Sequence, residues 1–128
     1  ALAYARENGA REAIFGNVKG DLCEGTGSNV FIVKDGELIT PPLTAGCLPG
    51  VTRALVVDLC LAANVKLQQV DTPLEALKDA DSAFLTSTLR GVQPIATVDG
   101  EQLKEVGCAV TSKIQADFRE LCENQPDP

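Results

Sequence analysis

Short apolar runs bounded by turn residues predict strands in the first half of the chain. Residues 12–16, 29–34 and 37–40 form such runs, and the last two flank Asp35-Gly36, a dipeptide typical of a tight hairpin turn. Pro41 and Pro42 end the third run, because proline donates no hydrogen bond to a neighbouring strand. The pattern therefore predicts a β-hairpin over residues 29–40.

Longer apolar patterns predict helices between further strands. Residues 54–63 are apolar on most faces, which is typical of a well-buried helix. Residues 74–79 are predicted to form a short helix capped by Thr72, with Pro73 in its first turn. A final helix is predicted from an apolar stripe at Leu103, Val106, Val110, Ile114, Phe118 and Leu121.

The remaining segments complete the predicted order of elements. Residues 1–8 are predicted to be the end of a helix that Gly9 closes. Strands are predicted at residues 65–70, 82–86 and 92–98. A hairpin combined with strand–helix–strand crossovers predicts a mixed sheet with helices packed against it, hence an α/β or α+β fold. No linker divides the 128 residues, so one domain is predicted over residues 1–123 with a tail at 124–128.

Composition excludes several classes of protein. The formal net charge is -7, from 11 basic and 18 acidic residues, which repels nucleic-acid phosphates. No apolar stretch reaches the roughly 18–20 residues of a membrane helix, and the first residues do not resemble a signal peptide. These features predict a cytoplasmic globular protein that binds neither nucleic acid nor membrane.

The cysteine and histidine content removes further chemistry. The chain has no His and five Cys, with no Cys-x-x-Cys pair, so neither a metal site nor a disulfide framework is predicted. The cysteines are expected to be reduced thiols.

Four loop segments can recognise an anion. Residues 24–29 carry an acid and two glycines, residues 41–46 form a rigid lead-in, residues 48–52 begin a helix, and residues 86–91 combine hydroxyls with Arg90. Free N–H groups at a helix start and clustered hydroxyls suit phosphate or carboxylate. A tight turn with a solvated Glu24, an ordinary capped helix and a polar hairpin remain the alternative interpretations.

The same blocks resemble the class IV aminotransferases, which are pyridoxal-phosphate (PLP) enzymes of fold type IV. Residues 24–31, 34–36, 40–42 and 45–53 match in order and spacing, and the similarity extends from Ala1 to about Gly100. The family includes branched-chain and D-amino-acid aminotransferases and 4-amino-4-deoxychorismate lyase, and residues 85–94 resemble the lyases more than the transaminases. The resemblance implies PLP as cofactor, the fold of the family's C-terminal large domain, and a homodimer.

The resemblance also implies a role for each matching residue. Glu24 matches the acid that contacts the pyridine nitrogen of PLP, where its charge keeps that nitrogen protonated. The phosphate-binding positions are matched by Leu48, Gly50, Val51, Thr52 and Thr88. Leu89 falls where a backbone amide meets the substrate carboxylate. Arg90 departs from the usual small residue and is expected to help bind a carboxylate of an amino-acid-like substrate.

The Schiff-base lysine of the family has no match, because it would precede the helix that begins at Ala1. The chain is therefore expected to be the C-terminal part of a longer enzyme that also has a smaller N-terminal domain. The leading hypothesis is a lyase that converts 4-amino-4-deoxychorismate to p-aminobenzoate and pyruvate in folate biosynthesis. The alternatives are a branched-chain or D-amino-acid transaminase and, third, a non-catalytic binding or dimerisation module. Alone, the chain is expected to bind PLP weakly and to be inactive.

Overall fold

The computed structural model of the protein describes residues 14–88, 90–98 and 101–124. The predicted helix at residues 1–8 and the end of the predicted tail lie outside them. Within the described residues, seven strands form one mixed sheet, and a separate two-stranded ribbon follows. The sheet strands are β1 (Ile14–Gly16), β2 (Leu22–Gly25), β3 (Ser28–Lys34), β4 (Glu37–Thr40), β5 (Leu67–Gln69), β6 (Ser82–Ser87) and β7 (Gly91–Pro94). The ribbon strands are β8 (Thr97–Val98) and β9 (Glu101–Gln102). The fold is thus α+β, as the alternation of elements predicts.

Strand β3 is the centre of the sheet, and two different strands share one of its edges. On one edge it pairs with β6, from Asn29 opposite Thr86 to Val33 opposite Ser82. On the other edge β2 pairs with its first residues, whereas β4 pairs with its last residues. Strands β2 and β4 therefore diverge beside the middle of β3. There the Thr40 hydroxyl donates to the Val30 carbonyl oxygen at 2.7 Å.

Helices cover the two faces of the sheet. They are α1 (Val51–Ala62), α2 (Ala76–Asp79) and α3 (Ala109–Asn124). Side chains alternate along β3, so Val30 and Ile32 join the core on the face of α2, whereas Phe31 and Val33 join the core under α1 and α3. Burial on both faces explains why the central strand is an almost continuous apolar run. No helix among the described residues is long and apolar enough to cross a membrane.

Several element boundaries differ from the sequence prediction. Strand β2 was not predicted; it forms because Glu24 and Gly25 pair with Asn29 and Ser28. The strand predicted at residues 92–98 is divided between β7, which ends at Pro94, and β8, although the Ile95 N–H still donates to the Ala83 carbonyl oxygen at 2.8 Å. Helix α3 begins only at Ala109, and Leu103 is buried from the loop that precedes it.

The cap predicted for the short helix is also wrong. Thr72 does not cap it, because its hydroxyl donates to the Val70 carbonyl oxygen at 3.1 Å. The helix begins later, at Ala76, and its N-cap Glu75 makes no side-chain cap. The backbone of Thr72 is instead used by the sheet, where its carbonyl oxygen accepts from the Leu22 N–H at 2.6 Å.

Candidate functional site

A cavity of about 100 Å³ lies where three loops meet the first turn of α1. It is smaller than the roughly 300–1,000 Å³ of a pocket that encloses a whole small-molecule ligand, so it suits one end of a ligand. The lining residues come from the β2–β3 turn, the loop before α1, α1 itself and the β6–β7 turn. They are Gly27, Ser28, Asn29, Leu48, Gly50, Val51, Thr52, Thr86, Ser87 and Thr88.

The start of α1 supplies main-chain donors to this cavity. The first N–H groups of a helix have no partner within the helix, and the helix dipole makes this end positive. Gly50 is the N-cap and provides no side-chain cap, while its own N–H donates to the Leu48 carbonyl oxygen at 2.9 Å. Thr52 is buried in the first turn and adds a hydroxyl. This combination favours an anion.

Two buried hydroxyls strengthen that conclusion. Ser28 and Thr86 are among the residues that line the cavity, and their hydroxyls are buried without a hydrogen-bond partner among the described residues. Leaving a buried polar group unpartnered costs roughly 1–3 kcal/mol. Thr86 is only 1% exposed. These hydroxyls therefore fit a ligand that carries several acceptor oxygens, as a phosphate group does.

Glu24 adjoins the cavity through the backbone of Leu48. Its Oε1 atom accepts a hydrogen bond from the Leu48 N–H at 2.7 Å. Asn29, the residue opposite Glu24 in the sheet, donates from Nδ2 to the Leu48 carbonyl oxygen at 2.9 Å. The peptide groups on both sides of Leu48 are thus held by two side chains of one strand pair. Leu48 itself is 62% exposed.

A buried arginine supports the same loop from below. Arg53 is 6% exposed and donates from one terminal nitrogen to the Pro41 carbonyl oxygen at 3.1 Å and to Gln69 Oε1 at 2.8 Å. The residue belongs to the first turn of α1, whereas its guanidinium contacts the segment after β4 and the end of β5. Arg53 therefore links the segment that follows β4, at Pro41, to the first turn of α1.

Two buried thiols flank the Glu24–Leu48 contact. Cys23 and Cys47 donate to the carbonyl oxygens of Ala45 and Pro42, both at 3.6 Å. Burial raises the pKa of each thiol, and the charge of Glu24 raises it further. Arg53 opposes this increase at Cys47. A raised pKa favours the neutral thiol form at both positions.

The structure brings most sequence-predicted site residues together. Five of them line the cavity: Leu48, Gly50, Val51, Thr52 and Thr88. Glu24 reaches the cavity only through Leu48. Arg90 is exposed in the β6–β7 turn and does not line the cavity, although its N–H donates to Ser87 Oγ at 3.0 Å. Leu89 lies outside the described residues.

The sequence-predicted site residues did not include Ser28, Asn29 or Thr86, although all three line the cavity and the hydroxyl of Thr86 was counted among those that suit an anion. Each lay within a segment singled out for its composition. Which of their side chains face the helix start depends on the pairing of β3 with β2 and β6, and that pairing joins residues far apart in sequence.

Comparison with known families decides the relationship. The family model for amino-transferase class IV matches residues 1–98. The chain belongs to the class IV aminotransferase family. It is 39% identical over 115 residues to the branched-chain-amino-acid aminotransferase of Escherichia coli (strain K12). That match covers 89% of this chain but 37% of the relative, so the chain spans about two fifths of the relative's length.

Solved structures of the family have the same fold. Branched-chain amino acid aminotransferase from Thermobaculum terrenum, in its PLP form, superposes with a TM-score of 0.93 at 33% identity, covering 98% of this chain and 41% of that one. A provisionally named 4-amino-4-deoxychorismate lyase from Legionella pneumophila superposes with a TM-score of 0.90 at 29% identity, covering 94% and 44%. Fold similarity alone therefore does not separate a transaminase from a lyase.

Proposed function

We propose that this chain is the PLP-binding part of a class IV enzyme. The observation that carries the proposal is that the α1 N-terminus lines one small cavity together with Ser28 and Thr86, whose buried hydroxyls have no partner within the described part of the chain. Its size suits the phosphate group of PLP rather than the whole cofactor. Glu24 adjoins the cavity, as a carboxylate that contacts the ring nitrogen should. The residues present therefore fit the cofactor.

The residues of the chain have separate tasks in this proposal. The first turn of α1, with Thr52 and Thr88, binds the phosphate. Glu24 holds a proton at the ring nitrogen while the Leu48 N–H fixes its Oε1 atom. Bound PLP supplies the electron-withdrawing ring that stabilises a carbanion at the substrate. Leu89 and Arg90 are proposed to face a substrate carboxylate.

Transamination of a branched-chain amino acid is the reaction that we favour for the whole enzyme. The support is sequence similarity, since the E. coli aminotransferase is 39% identical over 115 residues. The lyase reaction that the β6–β7 segment suggests is the second candidate, supported by the Legionella neighbour. The two reactions differ in what leaves the substrate, an amino group in the first and pyruvate in the second.

The test uses the natural full-length protein in which this sequence occurs. With leucine and 2-oxoglutarate, a transaminase forms glutamate, whereas with 4-amino-4-deoxychorismate a lyase releases pyruvate and p-aminobenzoate. We expect glutamate. Pyruvate without glutamate would favour the second candidate, and neither product with any amino donor would contradict the assignment to an active enzyme.

Cofactor binding is tested separately from turnover. We expect the full-length protein to bind PLP with a visible absorbance band, and inorganic phosphate to compete for the apoprotein. The 128-residue chain alone is expected to bind PLP weakly and to catalyse neither reaction, as the missing match to the Schiff-base lysine implies. Tight, stoichiometric PLP on the isolated chain, together with turnover, would overturn that expectation.

We also propose that the enzyme is a homodimer. Apolar side chains are exposed on the described surface, among them Leu43, Leu61 and Val70. Exposed apolar area favours association. Sedimentation of the full-length protein should give a dimer, and a monomer at high concentration would contradict the proposal.

A further inference from the structure

Position 50 requires glycine because a larger side chain has no space there, and not because of its backbone conformation. Its φ of -61° and ψ of 142° are ordinary for any L-residue. A Cβ atom added there would overlap with Oδ1 of Asn29. Replacement of Gly50 by alanine therefore requires either that side chain or the start of α1 to move.

Asn29 has little freedom to give way. It is 4% exposed and lies in the centre of the sheet, paired with Glu24 on one side and with Thr86 on the other. Its Nδ2 atom donates a hydrogen bond to the Leu48 carbonyl oxygen at 2.9 Å. Rotating the amide away from a methyl group at Gly50 would break that hydrogen bond. The helix start would otherwise have to retreat from the sheet.

The same side chain reaches both halves of the site. Through Leu48 it is coupled to Glu24, whose Oε1 atom accepts from the Leu48 N–H. Through contact with Gly50 it sets how closely the N-terminus of α1 approaches β3. A displacement at Asn29 would therefore move the anion cavity and the carboxylate partner together.

We propose that Asn29 is a positioning residue for the cofactor site, with Gly50 as its required packing partner. This inference rests on the proposed function, because it concerns the placement of the phosphate site and of Glu24. Asn29 fixes the loop, and the loop presents main-chain donors to the phosphate. The missing Cβ atom at Gly50 lets the two segments meet.

The experiment is a double-mutant cycle in the full-length protein, with inorganic phosphate and PLP as the probes. Gly50→Ala is expected to weaken both ligands by about tenfold or more, the equivalent of at least one hydrogen bond to a charged group. Asn29→Ala, which removes the overlapping oxygen, should make Gly50→Ala much less harmful. The double variant should therefore bind more tightly than Gly50→Ala alone. Gly16→Ala adds a Cβ atom that would also meet a close neighbour, at 3.2 Å from the Asp21 carbonyl oxygen, but Gly16 does not line the cavity, so this control should leave both affinities unchanged.

Calorimetry of the folded protein separates positioning from folding, because a purely structural role changes the unfolding midpoint without changing ligand affinity. Asn29→Leu gives a second variant of similar size that lacks the Nδ2 donor and adds no charge, and it should weaken phosphate binding as well as shift the visible absorbance of bound PLP. If the native protein binds neither probe, the proposed function fails and this inference fails with it. If the native protein binds both, and Gly50→Ala and Asn29→Ala combine additively or leave the affinities unchanged, the positioning inference alone is overturned.

Discussion

The two ends of the β3–β6 strand pair differ in what surrounds them, a group of ion pairs at one end and a cavity at the other. At one end Asp81 is fully engaged: its carboxylate accepts from the Asp35 N–H at 2.9 Å and forms ion pairs with Lys34 and Lys104 at 3.7 and 3.4 Å. At the other end, where Asn29 faces Thr86, a buried hydroxyl has no partner among the described residues and a helix N-terminus points at a cavity.

This difference separates an end that stabilises from an end that binds. Polar groups with hydrogen-bond partners lower the free energy of the folded chain. An unpartnered polar group beside a cavity can instead form its hydrogen bond with a ligand. Strands β3 and β6 run through both ends, so the same two strands anchor a structural turn and present a binding site. Substitutions at one end should therefore change stability, and substitutions at the other should change ligand binding or turnover.

The largest effect is expected from Glu24→Gln in the full-length enzyme. Loss of the negative charge should lower turnover by about 10²–10³-fold, since removal of one preorganised electrostatic partner costs this much in other active sites. PLP loading should change far less. Steady-state kinetics and the absorbance of bound PLP measure the two effects. Glu37→Gln is the control. The Glu37 carboxylate forms an ion pair with Lys66 at 2.9 Å and does not line the cavity, so this variant should retain full turnover. Equal turnover in Glu24→Gln and the native enzyme would show that the carboxylate does nothing for the ring.

A smaller effect is expected from Thr86→Val, which keeps the shape of the side chain and removes the unpartnered hydroxyl. We expect phosphate and PLP affinity to fall by about tenfold, while the free energy of unfolding stays equal or rises by about 1 kcal/mol. Calorimetry and denaturant unfolding measure the two quantities. The hydroxyl of Ser82 on the same strand is also buried without a described partner, but it does not line the cavity. Ser82→Ala should therefore leave affinity unchanged, and a parallel loss in both variants would remove the distinction between the two ends.

Asp81→Asn should act in the opposite way, on stability and not on affinity. The hydrogen bond from the Asp35 N–H lowers the pKa of Asp81, with Lys104 and Lys34 adding to that effect. A lowered pKa means that the carboxylate stabilises the fold above its ordinary pKa and that this contribution is lost as the pH falls through the folded value. The unfolding midpoint of Asp81→Asn should be lower than that of the native protein at neutral pH and should converge with it in acid. A constant gap at every pH would contradict the assignment.

The smallest effects concern thiol reactivity. Burial raises the pKa of Cys60 to about 11, so it should react slowest with a thiol reagent, whereas the exposed Cys122 should react fast. Phosphate should slow the labelling of Cys47, which adjoins the loop at Leu48, and leave Cys60 unchanged. Mass spectrometry of the labelled protein resolves each position. Equal protection of Cys60 and Cys47 would indicate global rather than local stabilisation.

Local patterns in the sequence were enough for the elements whose determinants are adjacent. Asp35-Gly36 predicts the β3–β4 hairpin because Asp35 and Gly36 both accept a positive φ, 53° and 79° in the structure. The apolar run that becomes α1 and the hydroxyl-rich turn after β6 were also predicted. The motif blocks were sufficient to identify the family, and the match of the family model to residues 1–98 confirms that identification.

Only the tertiary structure decided how those pieces meet. Strand β2 is short and becomes a strand because it pairs with β1 on one edge and with the free part of β3 on the other, a condition that no local pattern contains. Asn29 and Gly50 are 21 positions apart in the printed sequence, and the requirement for glycine arises solely from the overlap between them. The sequence offers the Thr86 hydroxyl as one donor among three, and only the fold shows that it is buried without a partner among the described residues, in a residue that lines the cavity. Residue types and local conformation follow from neighbours along the chain, whereas the space available to a side chain and the partners it lacks follow from neighbours across the fold.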